Sequence, residues 1–217
     1  MRSTRPAFNG DLKKPGSGRE LRLADLNNPQ DSEASAVARG YRAYVRVMAA
    51  RKDLRDHSKL NQHAPKISAG LAQKLGSAQV EVNLRDTIEL FRKNGIDKLV
   101  DGYGIHVYPN GDPQRPVSAR IASLDEDMFS ACRQGRKPCW VTEWGFGNPN
   151  ESCPDVDGSR IKVIQDIRSA FQGFANQGLL GALIYYDWTE KPGKPDSWAI
   201  FRCGGLTEAG KLALSPM

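Results

Sequence analysis

Glu143 stands in residues 138–146, PCWVTEWGF, where a short apolar run delivers one carboxylate and is then stopped by an aromatic and a glycine. A carboxylate in such a place can attack a carbon centre, take up a proton or, when protonated, give one. A run of this length beside Gly and Pro suits a buried strand better than a helix. Glu143 then lies at the strand's C-terminal end, where folds of alternating strands and helices keep their chemistry. The plain alternative is an ordinary strand-end carboxylate facing water. His106 and Tyr108 close another run, residues 99–108, LVDGYGIHVY, halted by Pro109, Asn110 and Gly111. Two residues apart on a strand, they share a face. Trp188 closes a third run, residues 180–188. For His106 the alternative is a satisfied core histidine, and for Trp188 it is core filling. The remaining histidines, His57 and His63, fall on other elements, and none of the three shares a ligand spacing with a Cys or a second His, so no metal is expected. Gly102, Tyr103 and Gly104 lie inside a strand instead of opening a helix, which excludes the dinucleotide fingerprint, and no cofactor is expected.

The elements that position these residues alternate. Residues 1–18 are polar and rich in Gly, Pro, Lys and Ser, and read as a disordered tail before a single domain over 19–217. Residues 21–26, LRLADL, alternate apolar and polar and predict a short strand ending at Asn27, Asn28 and Pro29. Val37, Tyr41, Tyr44, Val45 and Met48 recur at helical steps and predict a helix from Ser32 or Glu33 to about Arg55. Residues 65–71 read as a strand, and Leu84, Ile88 and Phe91 as a helix closed by Gly95. Ser118 caps a helix carrying Ile121, Leu124, Met128 and Phe129 that Gly135 ends. Ile161, Ile164, Phe171 and Phe174 mark a long helix, and a short one runs over 207–214. Strand thus alternates with helix at about 35 to 40 residues, the pattern of βα units on a parallel sheet. A closed barrel of eight such units takes about 250 residues, more than the 217 here. The expected class is therefore α/β.

At 39% hydrophobic content the chain can fill a core, and no apolar stretch reaches the roughly 20 residues needed to cross a bilayer. Residues 1–66 carry 14 Lys and Arg against 7 Asp and Glu, while the remainder carries 17 against 18. The basic excess is scattered over a polar tail and one helix face without interleaved aromatics, so it reads as a solvated surface and neither nucleic acid nor membrane is expected as a partner. No hydrophobic segment of a signal peptide follows Met1, so the chain as given carries no address.

Taken in order, DGYGIHVYP, PCWVTEWGF and GALIYYDW resemble strands six, seven and eight of the (β/α)8 glycoside hydrolases of the large retaining clan that includes cellulases, β-mannanases and β-xylosidases. The resemblance implies a barrel truncated to about strands four to eight, acting on β-linked oligo- or polysaccharide. Glu143 resembles the nucleophile at the end of strand seven. His106 and Tyr108 resemble the sugar-binding histidine and the tyrosine that hydrogen-bonds the nucleophile, Trp188 the tryptophan on which a sugar ring stacks, and Trp144 and Asn27 are counted with the substrate-binding residues. Strand four of the clan ends in Asn-Glu-Pro, where the Glu is the general acid and base. Here that stretch is Asn27, Asn28 and Pro29, so Asn28 occupies the acid/base position. An amide cannot donate a proton near neutral pH, and a general acid contributes about 10²–10⁴-fold.

Strands one to three have no counterpart, and a sheet lacking them leaves open edges through which self-association is expected. Three readings follow: an incomplete or inactive retaining glycosidase, a non-catalytic carbohydrate-binding relative keeping Trp144, Trp188 and His106 as a sugar surface, or a nonfunctional fragment. Four cysteines permit three pairings. Cys153 and Cys203 follow strands seven and eight and lie in neighbouring loops of one face, so their bridge is the expected one and would point to export of the full-length protein. Cys139 is the worse partner, because alternation from Glu143 turns it to the inner face, and Cys132 belongs to the preceding helix. The alternative is four free thiols.

Overall fold

The computed structural model describes residues 19–72, 81–108, 117–148, 153, 157–189 and 196–217. The expected tail over 1–18 lies outside them.

Four strands form a parallel sheet in the order β2 (Leu71–Ala72), β4 (Tyr103–Val107), β5 (Cys139–Trp144) and β6 (Leu180–Tyr185). Between β4 and β5 the chain returns through α4 (Val117–Leu124), a wide turn over Asp125–Phe129 and α5 (Ser130–Gly135), and between β5 and β6 through α6 (Gly158–Asn176). Parallel neighbours need such crossovers, which is why strand and helix alternate here. Tyr103, Ile105, Val107, Cys139, Val141 and Trp144 turn to the helix side, where they join Phe129, Ile164, Ile167 and Phe171 in one core. Residues 65–71, expected as one strand, give an isolated parallel bridge from Ile67 to Gly102 and then β2.

The N-terminal helix α2 (Ser32–Asp56) is capped by Asp31, whose side chain accepts the Ala34 amide. Its buried stripe is the expected one, with Val37, Tyr41, Tyr44, Val45 and Met48 all in the core. Tyr41 and Tyr44 meet Phe91 of α3 (Leu84–Lys93) at ring separations of 5.3 and 5.1 Å. Asn83 caps α3, and Gly95 closes it with φ of 87°, a left-handed conformation that side chains resist.

Three expectations are corrected. The strand over 21–26 is only β1 (Glu20–Leu21), which pairs with β3 (Glu81–Val82) in a separate two-stranded ladder. Leu23–Leu26 forms the single helical turn α1, its first turn held by Asp25 accepting the Arg22 amide. Ser118 lies inside α4 and does not cap it. Residues 99–101 precede β4 as a turn, with the Leu99 and Val100 amides donating to the Ile96 carbonyl. At the C-terminus a short hairpin, β7 (Phe201–Arg202) and β8 (Gly205–Leu206), precedes α7 (Glu208–Leu214), which Thr207 caps.

Candidate active site

The placement of Glu143 depends on a bulge in β5. Val141 pairs with Ile105 and Glu143 with His106, so Thr142 is an extra residue against β4. The same insertion appears against β6, where Val141 and Trp144 pair with Leu183 and Tyr185. A bulge breaks the two-residue alternation and re-aims the side chains around it. Cys139, Val141 and Trp144 therefore face the helices, while Trp140, Thr142 and Glu143 lie on the other face, only partly buried.

On that face Tyr108 donates a hydrogen bond from its hydroxyl to Glu143 Oε2. His106 Nδ1 stands 3.3 Å from the same oxygen, off hydrogen-bond alignment. His106 is only 6% exposed. Burial pushes its imidazole below the ordinary value, and the Glu143 carboxylate pulls it part of the way back. The Tyr108 phenol is raised by burial first and then by its bond and proximity to Glu143. It stays protonated, as a donor to a carboxylate must. Gly70 makes the space for His106, since a Cβ there would fall on the imidazole ring and 2.6 Å from Thr142 Oγ1.

Tyr108 is held by three aromatic edges. His106, Tyr186 and Trp198 meet its ring at 6.3, 6.2 and 5.3 Å, each nearly perpendicular. Trp198 is the site-shaping residue that sequence reasoning missed. Its flanking carbonyls are clamped: Ser197 O accepts the Asn148 amide at 2.7 Å, and Arg160 Nη1 reaches Ser197 O at 3.3 Å and Ala199 O at 3.0 Å. Arg160 is fully buried and pairs with Asp157 at 2.6 Å. Burial pushes Asp157 up, but the Arg160 guanidinium and the Ala209 amide outweigh it and hold the carboxyl below its ordinary value. The Cys153–Cys203 bridge forms as expected, with Cα atoms 5.7 Å apart, and ties the loop after β5 to the β7–β8 hairpin. Cys139, expected on the inner face, is instead bonded to Cys132 of α5, because the bulge reverses its side.

Among the other sequence candidates, Trp188 is 56% exposed and stacks on Phe201 at 6.0 Å. Trp144 is corrected: at 1% exposure it packs against Phe171 and Tyr185 in the helix-side core and offers no face to a sugar. Asn27 and Asn28 follow a helical turn, not a strand end. Asn27 Nδ2 donates back to Leu23 O, Asn28 Oδ1 accepts the Gln30 amide, and Asn28 lines a shallow hollow with Arg19, Gln30, Asp31, Ser32 and Glu33. The structure thus gathers Glu143, His106 and Tyr108 in direct contact and surrounds Asn28 with its own stretch of chain. Among the described residues no cluster of three His, Cys, Asp or Glu is arranged to hold a metal ion.

No protein-family description matches the chain, and no curated protein matches it. Solved structures do. A fungal β-1,4-galactanase aligns at a TM-score of 0.50 and 14% identity, covering 81% of this chain and 55% of that one. An endo-β-1,3-glucanase of family GH128 from Sorangium cellulosum aligns at 0.47 and 17%, covering 69% and 54%. A GH10 structure from Paenibacillus barcinonensis aligns at 0.49 and 16%, covering 87% and 52%. The chain spans about half the length of these structures. Such identities speak to architecture alone, and on the galactanase alignment the chain shares an α/β fold with that structure.

Proposed function

We propose that the chain is the C-terminal part of a (β/α)8 glycosidase barrel, about strands four to eight, with a retaining site for β-linked glycans in which Glu143 is the nucleophile. The observation that carries this reading is the Tyr108 hydroxyl bonded to Glu143, with His106 beside it, at the ends of adjacent parallel strands. In such a site Glu143 attacks the anomeric carbon and forms a glycosyl ester that water then hydrolyses. Tyr108 fixes which carboxylate oxygen stays engaged and leaves the other to react. His106, held neutral by burial, offers ring nitrogens as hydrogen-bond partners for a sugar hydroxyl. Asn28, matched to the acid/base position by motif order, supplies no proton, so cleavage requires another acid or a leaving group that needs none.

The test follows from that last point. Dinitrophenyl fluoroglycosides, with fluorine replacing the hydroxyl next to the anomeric carbon, leave without protonation and trap the ester. A panel of such β-glycosides in gluco, manno, galacto and xylo form is expected to add one fluoroglycosyl mass to the intact protein, located on Glu143 by peptide mapping and absent in Glu143→Gln. No adduct with any sugar, or an adduct elsewhere, overturns the reading. The stacked, exposed Trp188 and Phe201 favour a second reading as a carbohydrate-binding relative. That reading is met if oligosaccharides bind, with loss of binding in Trp188→Ala, while no adduct forms.

A further inference from the structure

A hydrogen bond fixes the tip of Tyr108 but leaves its ring to turn about two side-chain torsions, so the bond to Glu143 is only as well aimed as the walls around the ring. Three aromatic rings supply those walls. His106 sits two residues back on β4, and Tyr186 follows β6 with its amide donating to Trp144 O at 2.7 Å, so the sheet itself places both. Trp198 is the nearest of the three, its ring centroid 5.3 Å from that of Tyr108 and nearly perpendicular to it, and it belongs to no strand or helix. Its place is set by a separate frame. Asp196 Oδ1 accepts the Trp198 amide at 3.0 Å, the Asn148 amide and the Arg160 guanidinium hold Ser197 O, and Arg160 also holds Ala199 O. The indole lies against the chain that carries Glu143 as well. A Cβ on Gly145 would stand 3.5 Å from Trp198 Cε3, and one on Gly147 3.4 Å from Cε2 and 3.6 Å from Nε1. One side chain thus meets the tyrosine that holds the carboxylate and borders the backbone that leads away from it.

Resting on the reading above, we propose that Trp198 is a positioning residue of the Glu143 site: its indole keeps the Tyr108 hydroxyl on Glu143 Oε2 and so leaves Oε1 as the attacking oxygen. The Tyr108 hydroxyl is bonded to Oε2 and His106 Nδ1 stands 3.3 Å from the same atom, so a carboxylate held there presents its other oxygen. Without the indole the Tyr108 ring swings into the vacated space and the hydroxyl leaves Oε2. The carboxylate then gains a rotation that attack must remove. A misplacement of about 1 Å at a reacting group costs on the order of 10²-fold. That loss falls on the attacking step and not on sugar binding, because Trp198 acts through Tyr108.

The experiment follows trapping of the fluoroglycosyl ester, which yields a binding constant and a rate constant separately. It compares the unmodified chain, Trp198→Leu, which fills the space without a ring, and Trp198→Phe, which restores an aromatic edge, each also in a Tyr108→Phe background. Trp198→Met serves the same comparison should the leucine variant not fold. Trp198→Leu is expected to lower the rate constant about 10- to 10²-fold at a nearly unchanged binding constant, and Trp198→Phe to recover most of it. Once the Tyr108 hydroxyl is gone, Trp198→Leu is expected to add little, as for two residues that act through one contact. A weakened binding constant at an unchanged rate constant makes Trp198 a sugar contact and overturns the proposal. An equal loss with and without the Tyr108 hydroxyl marks a structural role alone and overturns it too. The crystal structure of Trp198→Leu reads the same point without activity: the Tyr108 hydroxyl is expected beyond hydrogen-bond reach of Glu143 Oε2, and an intact bond overturns the proposal. If Trp198→Leu labels as fast as the unmodified chain, Trp198 is overturned while the nucleophile stands. If nothing labels, the glycosidase reading falls, and the crystal structure alone decides whether Trp198 holds Tyr108 on the carboxylate.

Discussion

His106 is the residue whose environment and protonation are most tightly tied. Burial holds it below its ordinary value of 6.5, and the nearby Glu143 only partly offsets this. In the unfolded chain the imidazole takes up its proton on falling through the ordinary range, whereas in the fold it resists until lower pH. The unfolded state then binds more protons, so the contribution of His106 is fully present above about pH 6.5 and declines as pH drops below it. His106→Asn keeps a polar side chain without the titration. Thermal midpoints of the two chains from pH 7.5 to 5 are expected to converge as pH falls, the unmodified chain losing more, because other titrating groups act alike in both. Parallel profiles would show that His106 protonates in the fold as freely as in the open chain. The resemblance pointed to His106, Tyr108 and Glu143 through three short motifs. Gly70, which makes room for the imidazole, had no such signal, since a glycine before a two-residue strand reads as punctuation.

At the scale of elements, the buried pair Arg160 and Asp157 joins the start of α6 to the carbonyls around Trp198 and to Thr207 and Ala209 at the head of α7. Truncating Arg160 leaves Asp157 buried without its cation, a change that costs about 3–5 kcal/mol where such pairs are broken. Arg160→Ala is expected to lower the urea midpoint accordingly and to loosen Trp198 from Tyr108, read as a shift and broadening of tryptophan emission. The double change Arg160→Met with Asp157→Leu is expected to recover much of the stability, because no charge is stranded. The elements themselves were legible to different depths. The long helices and strands β4, β5 and β6 follow from periodicity sustained over several turns or alternations. LRLADL did not, because six residues fit either period, and the capping contact of Asp25 with the Arg22 amide settles it as helix after Leu21. The bulge at Thr142 was invisible to alternation, and that single inserted residue misplaced Cys139. Trp144 follows Glu143 directly and turns to the opposite face by alternation alone, which the resemblance that counted it with the sugar-binding residues did not register.

Across the whole molecule the two disulfides close loops of very different size, with sequence separations of 7 for Cys132–Cys139 and 50 for Cys153–Cys203. The first joins α5 to the adjoining strand β5, and the second joins loops from two successive βα units. A cross-link stabilises chiefly by restricting the unfolded chain, and the restriction grows with the logarithm of the closed loop. On that scale the long bridge contributes about 4 kcal/mol and the short one about 2. Replacing Cys153 and Cys203 together by Ala is therefore expected to lower the urea midpoint by more than replacing Cys132 and Cys139 together. Both losses should be reproduced in the unmodified chain by a reductant, with no further effect of that reductant on a chain lacking all four cysteines. The short bridge lies in the core with both half-cystines fully buried, so Ala there adds a packing cost to the loop term. If the short pair nevertheless costs less, loop closure governs. If it costs more, packing of the sulfurs against the helix side of β5 outweighs the entropy of the chain, and the Cys153–Cys203 bridge serves to hold the loop after β5 in register with the β7–β8 hairpin more than to keep the fold together.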